Sequence, residues 1–229
     1  MMVTGFERIV ISVPDLEQAT LSYRRLTGLA GVPAVLPGPV DVEWFGLGNT
    51  IVELRQSDCE AATLSGLVFS SDDEGAAAGR LANELSLDLR LSLGVELSSV
   101  AGGALPVGEL RVDHLVLRTG SAGDCIALFA QRLGIRLALD RLVPEWGGRM
   151  LFFRTGKLTL EVIASEDISR TEFWGIAYQC ADIAETRSKL QEREVTVTEI
   201  REGRKPGTLV ATVKSHCLDI PTLLIGPAT

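Results

Sequence analysis

Histidine is almost absent from this sequence: 229 residues contain two, His114 and His216. Any chemistry that needs an imidazole has only those to draw on. Positive charge is also short. Lys and Arg number 22 against 30 Asp and Glu, for a net charge of -8 and a pI near 4.9. That balance argues against a nucleic-acid partner, whose phosphates want clustered Lys and Arg. Cysteine is sparse and unpatterned. Cys59, Cys125, Cys180 and Cys217 form no CxxC pair and no zinc-finger spacing, so they read as reduced, mostly buried thiols. No apolar run approaches the roughly 18 residues of a membrane helix. The N-terminal run carries Glu7, stops at Pro14 and is too short for a signal peptide. These absences predict a soluble, cytoplasmic protein with no membrane partner.

What is present is core material, at 46% apolar residues, enough for one large domain or two ordinary ones. Arg8–Val13 (RIVISV) is a β-branched run and reads as a strand. Asp15 then offers a helix N-cap, and Leu16, Ala19, Tyr23 and Leu26 recur at helical spacing up to Gly28. A Pro/Gly-rich loop over Val32–Pro39 leads to strands at Val42–Leu47 and Thr50–Leu54. The order then restarts. Leu67–Phe69 predicts a strand, Gly75–Leu85 a helix weakened by glycine, and Leu87–Leu93 a strand with one wet face. A third round has a strand at Val112–Leu117, a helix over about Gly123–Leu133, and strands at Arg136–Asp140, Arg149–Arg154 and Leu158–Ile163. A fourth has a strand at Phe173–Gln179, a helix capped by Asp182 and Glu185, and strands at Val195–Ile200, Leu209–Lys214 and Thr222–Ile225.

Four βαβββ modules follow from this, their first strands roughly fifty to sixty residues apart, which marks an internal repeat. The fold class is α+β. The modules are expected to form two curved, barrel-like mixed sheets with helices outside and clefts lined by the inner faces. Neighbouring modules are expected to pair, residues 1–110 holding the first two and 111–229 the last two.

Two polar residues interrupt the apolar strands of the third module: His114 in VDHLVL (Val112–Leu117) and Glu161 in LTLEVI (Leu158–Ile163). Alternation turns Leu115, Leu117, Leu158, Leu160 and Val162 toward the helix, and His114, Val116, Thr159 and Glu161 into the cleft. With these strands the chain resembles the vicinal oxygen chelate superfamily, which includes glyoxalase I, bleomycin-resistance proteins, methylmalonyl-CoA epimerase and extradiol dioxygenases. The resemblance covers nearly the whole chain and is specific for fold; it does not single out a function, since this scaffold hosts isomerases, epimerases, oxygenases and plain binding proteins.

The resemblance implies a divalent metal in the cleft, with His114 and Glu161 at ligand positions and Fe, Mn, Ni or Zn as the ion. The sequence departs from that pattern. Gly175 and Leu224 occupy the matching positions of the fourth module, Gly66 that of the second, and Arg8 with Glu53 those of the first, where they read as an ion pair filling a dead site. His216 falls outside the expected ligand position. The alternative is a cleft without metal, in which His114 and Glu161 hydrogen-bond each other and Glu161 acts as a general base. Arg118 and Gln179, at matched strand ends, are candidates to hold a ligand's polar end. Trp146 and Phe152 are candidates for an aromatic wall, with Trp44 and Trp174 equally open to core packing. Arg149 and Arg154 are candidates to meet an anionic substrate, alternation leaving their facing open. Two functions are expected: a glyoxalase- or dioxygenase-type enzyme acting on a small oxygenated molecule, or a metal-free small-molecule binding protein. The partner is a small ligand, with a homodimer as the candidate assembly.

Overall fold

Asp15 starts the first helix, as its place after Pro14 requires. Its carboxylate accepts a hydrogen bond from the Gln18 amide at 3.0 Å. Gly28, left-handed at φ 72°, ends the helix after Leu16–Thr27 (α1). The computed structural model describes residues 3–34, 36, 39–71, 81–92, 105, 107–146, 148–156 and 158–228, with the side chain of Trp146 outside that set.

The first module consists of β1 (Val3–Val13), α1, β2 (Val32–Ala34), β3 (Val42–Gly46) and β4 (Ile51–Gln56), and the second contributes β5 (Thr63–Ser71) and β6 (Asp88–Ser92). The third runs β7 (Arg111–Thr119), α2 (Ala122–Cys125, continuing as a π-helix over Ile126–Arg132), β8 (Arg136–Val143), β9 (Gly148–Thr155) and β10 (Leu158–Ala164). The fourth runs β11 (Glu172–Gln179), α3 (Ile183–Glu192), β12 (Arg201–Glu202), β13 (Thr208–Val213) and β14 (Thr222–Pro227). One open six-stranded sheet has the order β2-β3-β4-β1-β5-β6, and one open eight-stranded sheet the order β12-β13-β14-β11-β7-β10-β9-β8. Both are mixed: β10 lies parallel to β7 and antiparallel to β9, and β6 parallel to β5 while β3 and β4 are antiparallel. No helix among the described residues is long and apolar enough to cross a membrane.

Three local expectations differ. Val32–Ala34 is a strand because Val32 pairs across to Trp44. Val195–Ile200 forms only an isolated bridge from Val197 to Val213. There the hydroxyls of Ser215 and Thr198 accept the Thr196 and Thr212 amides, taking up bonds a ladder would use. The expected helix at Gly75–Leu85 lies largely outside the described residues, and its described end, Leu81–Leu85, is not helical. The Asn83 side chain holds that turn, bonding the Leu81 and Leu87 carbonyls and the Leu87 amide.

The chain packs as two compact units, each drawing strands from both sheets. One comprises Met1–Val10, Leu64–Leu97 and His114–Gly175; the other comprises Ile11–Thr63, Ser98–Asp113 and Ile176–Thr229. In the first, Leu115, Leu117, Phe153, Leu160 and Val162 are wholly buried on one sheet face. Phe153 meets Phe129 of the helix at 5.3 Å between rings. Cys125 is buried among them, and burial pushes its thiol up to about 12. In the second unit, Tyr23 packs edge-on against Phe45 at 5.4 Å, with Trp44, Leu26 and Leu54 fully buried. All four cysteines are free thiols, three of them buried.

Candidate functional site

β7 and β10 are neighbours in parallel register, with Thr159 opposite His114 and Glu161 opposite Val116. Paired residues share a face, and residues two apart along a strand do too. His114, Val116, Thr159 and Glu161 therefore lie on the face opposite the buried Leu115, Leu117, Leu160 and Val162, as alternation predicted. The His114 Nε2 and Glu161 Oε2 atoms stand 3.6 Å apart, with the side chains 16% and 21% exposed. That distance is too long for the direct hydrogen bond expected between them. It leaves both groups close enough to act on the same ligand atom, and shielded enough for their interaction to exceed its value in bulk water.

The other predicted residues are distributed as follows. Phe152 is the cross-strand partner of Glu161, and Arg154 that of Thr159, so both join the same face of β9. Arg118 joins it from β7, opposite Ile163, with its guanidinium 5.8 Å from the centre of the Trp174 ring. Arg149 sits on the opposite face, where Asp140 holds it through two hydrogen bonds of 2.7 Å; these bonds keep the Asp140 carboxyl below its ordinary range. Gln179 is an exposed residue of the other compact unit, opposite Ile225. Trp146 ends a 3-10 turn, Pro144–Trp146, with its side chain outside the described set.

Arg8 bonds the adjacent Glu7 at 2.7 Å, and the wholly buried Glu53 accepts from Trp44 Nε1 at 3.0 Å and from Arg55. Trp44 is therefore a core residue, while Trp174 is 43% exposed. His216 adopts a left-handed conformation at φ 58° in a loop of the other unit.

Two residues that sequence reasoning missed share the His114 face. Arg136 is the cross-strand partner of Arg154, and Arg141 that of Met150. They lie five apart, so plain alternation puts them on opposite faces. A β-bulge between Leu137 and Leu139 shifts the register and brings both to one side.

A cavity of about 520 Å³ lies elsewhere in this unit, lined by Asp88, Ser121, Asp124, Ile168 and Arg170 among others. It opens beyond the far end of β7, about 20 Å along the strand from His114 at the usual rise per residue, and neither His114 nor Glu161 lines it.

The backbone superposes on a triple mutant of 4-hydroxymandelate synthase from Streptomyces coelicolor with a TM-score of 0.73, at 13% identity, over 98% of this chain and 93% of that one. A xylose isomerase-like TIM barrel/4-hydroxyphenylpyruvate dioxygenase fusion protein matches at TM-score 0.63 and 14% identity, over 99% of this chain and 49% of its own length. Both matched proteins have vicinal oxygen chelate modules. The chain has the vicinal oxygen chelate fold. Methylmalonyl-CoA epimerase from Mycobacterium tuberculosis aligns over 52% of the chain at TM-score 0.42 and 15% identity. No protein-family model matches the sequence, and no curated protein does.

Members of the vicinal oxygen chelate fold commonly hold a divalent metal, so the donor set has to be tested against one. A 3.6 Å separation suits two donors on one ion at about 2.1 Å each. The count does not. A catalytic site of this kind uses three or more protein ligands, and among the described residues no group of three His, Cys, Asp or Glu stands together. Gly175 and Leu224 supply no donor. The described residues do not fit a resident catalytic metal of the vicinal oxygen chelate type.

Proposed function

We propose that this protein acts on a small oxygenated molecule bound against the His114–Glu161 face of the eight-stranded sheet, with Glu161 as its base. The observation that carries this reading is the meeting of an imidazole and a carboxylate at 3.6 Å on one half-buried sheet face. Glu161 removes a proton from the carbon next to a carbonyl. The electron pair left behind moves onto the carbonyl oxygen, giving an enolate and a neutral Glu161 acid. A donor from His114 or from the flanking Arg118 or Arg154 stabilises the oxygen. Where the deprotonated carbon carries a hydroxyl, the hydroxyl proton passes to the enolate oxygen and the proton on Glu161 returns to the former carbonyl carbon, which gives the isomeric α-hydroxycarbonyl compound and restores the carboxylate without any oxidant or co-reactant. This reading favours metal-independent proton transfer over oxygen activation, because the donor set does not fit an oxygen-activating ion.

The second reading is a metal-free binding protein that holds its ligand unchanged. It is favoured by Gly175 and Leu224, which stand where chelating residues are expected. Deuterium exchange separates the two. Hydroxyacetone, pyruvate and phenylpyruvate are incubated with the protein in D2O, and loss of the α-proton signal is followed by NMR. The expected result is exchange with at least one probe, falling by about a hundredfold or more in Glu161→Gln, as loss of a general base gives, and falling less in His114→Ala. No exchange above buffer, together with retained ligand binding, establishes the binding protein. Exchange unaffected by Glu161→Gln contradicts the assignment of the base.

A further inference from the structure

The residues of the His114 face fall into three rows across the sheet. The first is Arg136, Arg154, Thr159 and His114; the second Leu139, Phe152, Glu161 and Val116; the third Arg141, Met150, Ile163 and Arg118. Neighbours within a row are about 4.8 Å apart and successive rows about 6.6 Å. The middle row is apolar apart from Glu161. The outer rows each carry two arginines.

Glu161 is the single carboxylate that β7, β8, β9 and β10 place on this face. None of the four arginines has a carboxylate ion-pair partner among the described residues. On the opposite face of β9, by contrast, Arg149 is neutralised by Asp140 in two parallel bonds. The chain as a whole carries a net charge of -8, so four uncompensated guanidinium groups around one carboxylate oppose the average sign of the molecule. Such a local reversal raises the concentration of anions at the patch. Arginine also binds carboxylate and phosphate oxygens in pairs.

We propose that this face takes a small organic anion, a carboxylate or phosphate monoester on an apolar body. The body lies over Phe152 and Leu139. The acidic group is gripped by the Arg136–Arg154 pair, and Arg118 with Arg141 meets any further oxygens at the other end. This rests on the reading that a ligand sits beside Glu161, and names the chemical class of that ligand.

The test measures binding of phenylacetate, phenyl phosphate, uncharged 2-phenylethanol and inorganic phosphate by titration calorimetry at low salt. Phenylacetate or phenyl phosphate should bind at least about tenfold more tightly than 2-phenylethanol, since a charged hydrogen-bonded contact is worth about a factor of ten or more. The tighter of the two anions identifies the acidic group. Arg154→Gln and Arg136→Gln should each weaken binding by about tenfold; Arg149→Gln, on the other face, should leave it unchanged. The targeted side chains are exposed, so the variants fold. Equal affinity for 2-phenylethanol overturns the proposal. So does unchanged affinity in both arginine variants, and so does inorganic phosphate binding as tightly as phenyl phosphate. Glu161→Gln separates this claim from the proposed chemistry. It removes the base and the one opposing charge, so phenylacetate binding should persist or tighten while exchange disappears. Binding kept without any wild-type exchange retains the anion site and removes only the catalytic reading.

Discussion

Tyr23 and Tyr178 face each other hydroxyl to hydroxyl at 2.7 Å, neither side chain more than 1% exposed. Burial raises the pKa of both above the ordinary tyrosine value of 10.0. The sign of the linkage is then fixed. The folded state keeps its protons at a pH where the unfolded chain gives them up, so this contribution to stability is complete below pH 10 and is lost as pH rises further. Thermal melts should show the midpoint falling above about pH 10, and falling less steeply in the Tyr23→Phe/Tyr178→Phe double variant. At neutral pH, Tyr23→Phe alone should cost about 1–3 kcal/mol, because it leaves the Tyr178 hydroxyl without this partner, whereas the double replacement should be nearly neutral. A double variant as unstable as the single one would show that the pair is not coupled. At this scale the sequence is only partly readable. Strand alternation placed His114 and Glu161 on one face. Nothing in the spacing of Tyr23 and Tyr178, from a helix and a distant strand, shows that their hydroxyls meet.

Elements carry the next level of information, and β8 and β9 are the informative pair. The bulge in β8 puts Arg136 and Arg141 on one face despite their odd separation. A period-two reading fails at any bulge, because the extra residue is visible only in the pairing partner. That is why two of the four arginines were not legible. Gly148 opens β9 at φ 143°, and a Cβ there would lie 2.2 Å from the Ala164 carbonyl oxygen of β10. Gly148→Ala should therefore destabilise the protein by about 2–3 kcal/mol, read as a lowered denaturation midpoint. An unchanged midpoint would mean that the β9–β10 junction is slack. The last strands of the fourth module show a different limit. Val195–Ile200 has strand composition, yet Thr198 and Ser215 divert its hydrogen bonds through their hydroxyls. Composition cannot rank a side-chain competitor against a ladder partner.

For the whole molecule, the repeat was the readable feature. Four first strands at similar spacing predicted the module order, and superposition on a vicinal oxygen chelate protein at TM-score 0.73 agrees with the fold despite 13% identity. Fold survives at that identity because it depends on apolar alternation and turn positions, which many sequences satisfy. The site does not follow from the fold, because it depends on a few side chains, and this chain has Gly175 and Leu224 where the resemblance implied donors. The net charge of -8 gave no sign of the four arginines of one sheet face. A total carries no information on placement, and anion binding at that face should weaken with salt as the Debye length falls from about 30 Å at low ionic strength to about 8 Å.

Amide chemical-shift mapping with phenylacetate tests the central claim most directly, because the same unit offers a competing location. Perturbations centred on His114, Phe152, Arg154, Thr159 and Glu161 are the expected result. Perturbations centred instead on Asp88, Ser121, Asp124 and Ile168, around the 520 Å³ cavity, would contradict it and move the ligand site off the His114–Glu161 face.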